Sequence, residues 1–267
     1  MGSNLKYVYP VFGGINLGFI RIGGPGLGNL LYPYFRAIIY AKENNLQIID
    51  PVFRSIKVKL LFKNQKRTYN YKLNNTITGF KRILILTKSK EEEFQNINSE
   101  IKVFKGFHNG FKSFYGYENF LFSNLTSIYN KSEINVEKFK NSICCHIRLG
   151  DFKISTKEIT NNTRIPISWY KEVIQTLRKK NGVLKVFIFS DGNVSELSEI
   201  LMMDNTEIES SNEPIHDIVK MSSSKFFIGS YSSFSMWASY FSKGISVWNK
   251  EVFNKDEFPT NNERIIL

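Results

Sequence analysis

The chain has 267 residues, 42% of them hydrophobic and 15% aromatic, enough for the cores of two modest domains or one large one. Its formal net charge of +12 favours anionic partners: nucleotide phosphates, an anionic membrane surface or nucleic acid. No window reaches the ~18 uninterrupted apolar residues of a membrane span, and the first residues lack the basic-then-apolar pattern of a secretory signal. With two cysteines and three histidines in all, neither a disulfide framework nor a structural zinc site is expected.

Cys144 and Cys145 are neighbours, and neighbours on a strand point to opposite faces. A reducing, cytoplasmic setting is therefore expected. The basic residues read as scattered, apart from short runs at 63–67 and 178–180.

In chain order, residues 1–17 are weakly patterned. A short apolar run at 19–22 predicts a strand, and GGPGLGN follows at 23–29. Leu27, Leu30, Leu31, Tyr34, Phe35, Ile38 and Ala41 then recur at helical spacing. Strand, glycine-rich turn and helix in that order let the backbone approach an anion at the helix N-terminus. A tight turn with nothing bound reads the same way. Pro25 breaks a G-x-G-x-x-G register and no P-loop lysine follows, which disfavours a dinucleotide or ATP site.

Residues 46–49 predict the next strand, with Asp50 and Pro51 at its exit. The stretch 52–80 is irregular, basic and aromatic. Strands are predicted at 83–86 and 101–104. The second leads into GFHNGFKSFYGYENFLF, which carries His108 and continues as a helix to about residue 129. Aromatics among small polar residues suit either a sugar platform or core packing.

A polar stretch at 130–141 separates the halves, and SICCHIRLGD follows at 142–151. Ile143, Cys145 and Ile147 fall on one face at period two, and Cys144, His146 and Arg148 on the other. The strand ends in Arg148, and Gly150 permits a turn to Asp151. In an open α/β sheet the carboxyl end of a strand is where ligands bind. Arginine suits a phosphate there, because its planar fork donates two parallel hydrogen bonds.

A polar loop at 153–164 precedes a helix with the stripe Tyr170, Val173, Ile174 and Leu177, ended by Gly182. A strongly apolar strand at 184–189 ends in Ser190-Asp191-Gly192. Helices are predicted at 194–201 and 214–221, the latter with His216 and Asp217 on its polar side. A strand at 226–228 leads to the hydroxyl-rich turn SYSSF at 230–234, which opens another helix, and 245–248 is the last predicted strand. Such alternation marks a parallel sheet covered on both faces. The expected fold is α/β, two Rossmann-like domains facing a cleft, divided as 1–138 and 139–267.

The stretches GGPGLGNLLYPYFRA, HIRLGD, IPISWYKEVI, VFIFSDG and HDIVKMSSSKFFIGSYSSFSMWASYF stand in the order found in family eleven α-1,2-fucosyltransferases, which the chain resembles. They share motif logic with the wider α-1,2-, α-1,6- and protein O-fucosyltransferase group. The resemblance implies a GT-B fold and an inverting, metal-independent transfer of fucose from GDP-fucose to a glycan hydroxyl, with no cofactor beyond the donor. The domain 139–267 would bind the GDP-sugar and 1–138 would lie on the acceptor side.

Carried over by position, Arg148 would hold the donor β-phosphate, His146 would lie against the nucleotide and Asp151 would brace the arginine or its loop. Asp217 would read guanine, and Ser232 and Ser233 would hold phosphate. Gly26, Gly28, Asn29, Asp191 and Phe234 complete the expected donor set. Arg148, Asp151 and His108 are the expected catalytic residues, with the general base drawn from His108, Asp151 and Glu158. The sequence departs from the family at Leu149, where a second arginine is usual, and lacks the glutamine that usually follows Asn29.

The expected acceptor is a glycan or lipid-linked glycan of a bacterial surface polysaccharide. The expected setting is the cytoplasm, peripheral to the inner face of an anionic membrane, with no nucleic-acid partner. The alternatives are a transferase of another GDP-sugar and a noncatalytic module that binds polyanions or glycans.

Overall fold

A computed structural model describes residues 5–56, 81–84, 86, 100–107, 110–127, 134–154, 163–209 and 213–267. His108, Glu158 and the basic run at 63–67 lie outside the described residues. The chain divides into two compact α/β units. One comprises Met1–His108 and Asn119–Asn130, the other Asn109–Glu118 and Lys131–Leu267.

The first unit contains β1 (Tyr7–Pro10), β2 (Ile15–Asn16), β3 (Arg21–Ile22), α1 (Leu27–Asn44), β4 (Gln47–Ile48), β5 (Ser55–Ile56), β6 (Ile101–Phe104) and α2 (Glu118–Ser127). β1 is the centre of a parallel sheet of order β4-β1-β6. Val8 on β1 packs with Ala37 and Ala41 of α1, and Tyr9 with Ile49 and Ile101. α1 ends at Asn45, which takes the left-handed conformation at φ 52°, as asparagine tolerates at a helix C-terminus. β2, β3 and β5 form a separate small sheet, antiparallel at β2–β3 and parallel at β3–β5.

Two expectations fail in this unit. The central strand β1 comes from the stretch read as weakly patterned. Residues 81–84 and 86 are helical, not the strand predicted at 83–86. A short unbroken apolar run has no period, so it cannot separate strand from helix. Arg82 decides the matter locally: it is buried and donates to the Gly18 and Asp50 carbonyls.

The second unit contains β7 (Ser142–Ile147), α3 (Ile167–Asn181), β8 (Lys185–Ser190), α4 (Ser198–Leu201), β9 (Thr206–Ile208), α5 (Pro214–Ser222), β10 (Phe226–Ile228), α6 (Ser233–Phe241), β11 (Ile245–Trp248) and β12 (Arg264–Ile266). A 3-10 turn, Val194–Leu197, leads into α4. The six strands are all parallel, in the order β12-β11-β10-β7-β8-β9. The chain steps outward from β7 to β9, then returns past β7 to β10 and steps outward the other way. The reversal between β7 and β10 is a topological switch point, where the carboxyl ends of adjacent strands open a crevice for a ligand.

All six residues of β7 are buried, as a strand covered on both faces requires. Phe111 and Phe114, from the aromatic segment after β6, are also buried. They pack edge-on and tilted against Trp237 of α6, with ring centroids 4.7 and 5.1 Å away. For these two residues the core-packing reading holds, not the sugar platform.

Candidate functional site

The switch point places two loops side by side. One leaves β7 as Arg148-Leu149-Gly150-Asp151. The other leaves β10 and enters α6 through Ser230, Tyr231 and Ser232. Asp191, just past the end of the adjacent β8, organises the first loop. Its Oδ1 accepts from the backbone N–H of Leu149 (2.9 Å) and Gly150 (3.2 Å), and its Oδ2 accepts from Arg148. A Cβ on Gly150 would stand 2.2 Å from that carboxylate, so only glycine allows the approach.

Arg148 is thereby held between two carboxylates, Asp191 on one terminal nitrogen and Asp151 on the other. The two partners differ. The Asp191 side chain is 18% exposed and that of Asp151 is 75% exposed. An exposed ion pair contributes about 0–1 kcal/mol, so an incoming anion can displace Asp151 at little cost while Asp191 keeps the guanidinium in place. The guanidinium also lies 5.4 Å from the centroid of Phe152. Leu149, where the family usually has arginine, is 3% exposed. It packs so closely on Gly192 that a Cβ there would meet it at 2.3 Å. The position fills a core contact and carries no charge.

The second cluster centres on His146, on the same strand face as Arg148. Its Nδ1 hydrogen-bonds Ser235 Oγ at 2.6 Å and Ser230 Oγ at 3.1 Å. Its ring lies 5.2 Å from that of Phe234. Ser232 is the N-cap of α6 and accepts from the Ser235 N–H at 3.2 Å. Ser233 opens the helix. Ser230 and Ser235 bond each other at 3.1 Å, and these two direct partners of His146 are the residues that the sequence reading missed. Ser235 was legible in one respect: it stands three residues after the capping serine, on the first turn, where side chains turn toward the cap.

α5 follows β9 in a parallel sheet, so its N-terminus lies at the same carboxyl edge. Asp217 sits in its first turn, partly buried. His216 beside it is buried at 7% exposure, not on the polar side as expected. The loop base is also fixed: the Arg164 N–H donates to the Lys153 carbonyl (2.9 Å), and the Arg164 side chain reaches Phe152 O (2.9 Å) and Glu196 (2.6 Å). Backbone donation from Asn193 and the Arg164 hydrogen bond hold the Glu196 carboxyl below its usual range.

The thiols beneath the site are inert. Burial pushes Cys144 up to about 12 and raises Cys145 as well, which leaves no thiolate to act as a nucleophile. Among the described residues no group of three or more His, Cys, Asp or Glu is placed to hold a metal ion.

The structure thus brings Arg148, Asp151 and Asp191 into one cluster and His146, Ser232 and Phe234 into its neighbour, at one sheet edge. Gly26, Gly28 and Asn29 belong to the first unit. Gly26 caps α1 without a side-chain bond. Upstream, Gly24 at φ 88° is forced by contact: a Cβ would meet the Gly13 carbonyl at 2.2 Å.

A guanidinium at a strand tip, on the loop next to a capped helix N-terminus, has the donor chemistry that suits an anion. No curated protein matches the chain significantly. Solved structures similar to it include the fucosyltransferase NodZ from Bradyrhizobium, at 12% identity and TM-score 0.43, covering 90% of this chain and 94% of that one. A NodZ α-1,6-fucosyltransferase co-crystallised with GDP is similar at 12% identity and TM-score 0.43, covering 90% and 93%. POFUT1 in complex with GDP-fucose is similar at 14% identity and TM-score 0.45, covering 88% and 93%. The model of glycosyl transferase family 11 matches residues 36–266, a span that takes in the second half of α1, the strand that leads to Arg148, and every element of the switch point, and the chain belongs to that family.

Proposed function

We propose that this glycosyl transferase is an inverting fucosyltransferase that moves fucose from GDP-fucose to a glycan hydroxyl in α-1,2 linkage, without a metal ion. The observation that carries the reading is Arg148, clamped by Asp191 at the switch point next to the N-terminus of α6. An acceptor hydroxyl attacks the anomeric carbon from the face opposite the leaving group, the bond from that carbon to the β-phosphate oxygen breaks, and GDP departs. Charge grows on the pyrophosphate as the bond breaks. Arg148 and the first-turn N–H groups of α6 stabilise that charge, in the role a divalent cation takes elsewhere. His146, locked by two serines, and Phe234 form the wall against which the nucleotide lies, and Asp217 reads the guanine.

In this reading residues 139–267 bind the donor, and residues 1–138 present the acceptor, a glycan or lipid-linked glycan of a bacterial surface polysaccharide, at the inner face of the membrane. Gly26, Gly28 and Asn29 are assigned to the donor by the family resemblance. Asp151, released from Arg148 by the donor phosphate, joins His108 and Glu158 as a candidate for the base that takes the hydroxyl proton. Among the described residues no helix is long and apolar enough to cross a membrane, which suits a peripheral contact.

The test is transfer of labelled fucose from GDP-fucose to a panel of oligosaccharides in excess EDTA, with the linkage read by NMR. Transfer that survives EDTA and gives an α-1,2 product is the expected result. The Asp191 carboxylate supports it, since both its oxygens are engaged by Arg148 and backbone N–H groups. Activity that vanishes with EDTA and returns with Mn²⁺ would refute the metal-independent step, and a different linkage would refute the α-1,2 assignment.

A further inference from the structure

The two faces of the six-stranded sheet are covered unequally. Side chains of β7 alternate between them: His146 reaches Ser235 of α6 on one face, and Tyr170 of α3 lies near Cys145 on the other. The register carries the α3 face from Cys145 through Ile228 of β10 to Val247 of β11, and Asn249 follows two residues later on the same side. Among the described residues no helix stands between β11 and β12. Beside α3 that face therefore keeps an open cavity of about 340 Å³. It lies across the sheet from the His146 cluster, and no residue of the donor reading lines it.

Each wall is fixed by its own chemistry. On α3, half-buried Trp169 has its ring edge-on to that of buried Tyr170, at 4.9 Å and 77°. Val173, one turn on, is buried and completes an apolar floor, while Glu172 and Thr176 stand exposed beside it. On the far wall the ladder runs past the strand ends, with the Leu267 N–H donating to Trp248 O (3.0 Å) and the Lys250 N–H to Leu267 O (2.8 Å). Asn249 heads a turn, its carbonyl accepting from the Val252 and Phe253 N–H groups at 3.2 and 3.1 Å.

Asn249 is only 5% exposed. Its Oδ1 accepts from the Glu251 N–H at 2.9 Å, which identifies the other amide atom as the nitrogen. No described residue accepts from that nitrogen. A polar group left over on a buried residue calls for a partner. Lys250 and Glu251 stand exposed at the rim of the cavity.

We propose that this cavity is a saccharide subsite, in which a neutral sugar ring lays its C–H face on Trp169 and Val173 while its hydroxyls bond the Asn249 amide, Glu172 and Glu251. Hydroxyls both donate and accept, and the lining offers both kinds of partner: the two carboxylates accept, and the amide and the Lys250 ammonium donate. Two carboxylates against one ammonium make the site locally negative in a chain of net charge +12, which disfavours phosphates and other anions. An indole and a valine give a bare metal ion nothing to bind. At about 340 Å³ the cavity is at the lower end of small-molecule sites, roughly 300–1,000 Å³, which suits one or two sugar rings. The subsite deepens the glycan-acceptor reading and rests on it for the source of the sugar, a residue of the acceptor or product glycan remote from the reacting hydroxyl.

Trp237 and Trp248 are both 0% exposed, so quenching of tryptophan fluorescence by acrylamide reports Trp169. The probes are neutral di- to tetrasaccharides of glucose, galactose and N-acetylglucosamine, added to the full chain. At least one is expected to protect Trp169 saturably, and to show saturation transfer by NMR at its ring C–H groups. Asn249→Asp keeps an acceptor for the Glu251 N–H but replaces the donor by a carboxylate. It should weaken binding by about tenfold or more, with the melting temperature and the stabilisation by GDP unchanged. Glu172→Lys, at an exposed position of α3, supplies a second variant that the fold tolerates and should weaken binding as well. Failure of every saccharide to protect Trp169, wild-type affinity in both variants, or protection by inorganic phosphate or heparin in place of the neutral sugars would each overturn the proposal. Protection of Trp169 in a chain that does not respond to GDP would leave the subsite standing and remove the transferase reading. A response to GDP without any protection would remove the subsite and leave that reading.

Discussion

Arg148→Lys is expected to lower turnover about a hundredfold to a thousandfold while leaving the fold intact. The guanidinium bridges Asp191 and Asp151 with different nitrogens, and in the proposed reaction the donor phosphate takes the place of Asp151. An ammonium is a point charge that satisfies one carboxylate at a time and cannot place paired donors on a phosphate. The Asp191 side chain accepts from two backbone N–H groups independently of Arg148, so the loop keeps its shape in the variant. The loss should fall on kcat more than on KM, because the charge Arg148 meets is largest as the glycosidic bond breaks. Steady-state kinetics beside a thermal melt make the check. A well-folded Arg148→Lys protein with near-wild-type turnover would remove Arg148 from the phosphate site.

Asp217→Ala is expected to weaken GDP by about tenfold to a hundredfold, because hydrogen bonds to a charged group are worth roughly 1.5–3 kcal/mol. Guanine presents two adjacent donors, N1–H and the exocyclic amine, and one carboxylate accepts both. Uracil offers no such pair, so the weaker binding of UDP should barely change. Asp217 is half-buried in the first turn of α5, between buried His216 and Ile218, where the helix N-terminus favours a negative charge in any case. That stabilising role would be lost equally with either nucleotide. Calorimetry of GDP and UDP on both proteins therefore separates recognition from helix stability. An unchanged GDP affinity, or equal losses for both nucleotides, would leave guanine recognition to another residue.

The second unit was the more legible in sequence because its elements carry strong periodicity. The face alternation of 143–148, the stripe Tyr170, Val173, Ile174 and Leu177, and Gly182 at φ 80° each follow from local chemistry. β9 and β12 were missed, since Thr206-Glu207-Ile208 and Arg264-Ile265-Ile266 are three-residue strands at the two edges of the sheet, mostly exposed. Edge strands need little hydrophobicity and give little signal. β1 failed for another reason. Tyr7-Val8-Tyr9 has the β-branched and aromatic character of a strand, but it is four residues long and ends in Pro10, and proline argues against a central strand. Pro10 closes the strand at its carboxyl end, where the Val11 N–H takes up the next bond, to Phe104 O at 2.8 Å.

Of the site, the H-x-R spacing was legible because strand geometry alone puts His146 and Arg148 on one face. The role of Asp191 was not. It lies 43 residues from Arg148, and only the parallel pairing of β7 with β8, with Ile147 opposite Ser190, brings the two together. Ser230 and Ser235 were hidden in the same way, since their partner His146 is on another strand. Residues that act through long-range pairing leave no local pattern, whereas residues that share one strand or one helix turn do.

The central claim is that the switch-point crevice binds a guanine nucleoside diphosphate, and a thermal-shift comparison of GDP, UDP, ADP and GMP tests it without knowledge of the acceptor. The account predicts a clear rise in melting temperature with GDP. GMP should give a smaller one, since it lacks the β-phosphate that Arg148 holds, and UDP and ADP little. Equal stabilisation by all four nucleotides, tracking their charge and fading with salt, would contradict the account and leave a polyanion-binding module in its place.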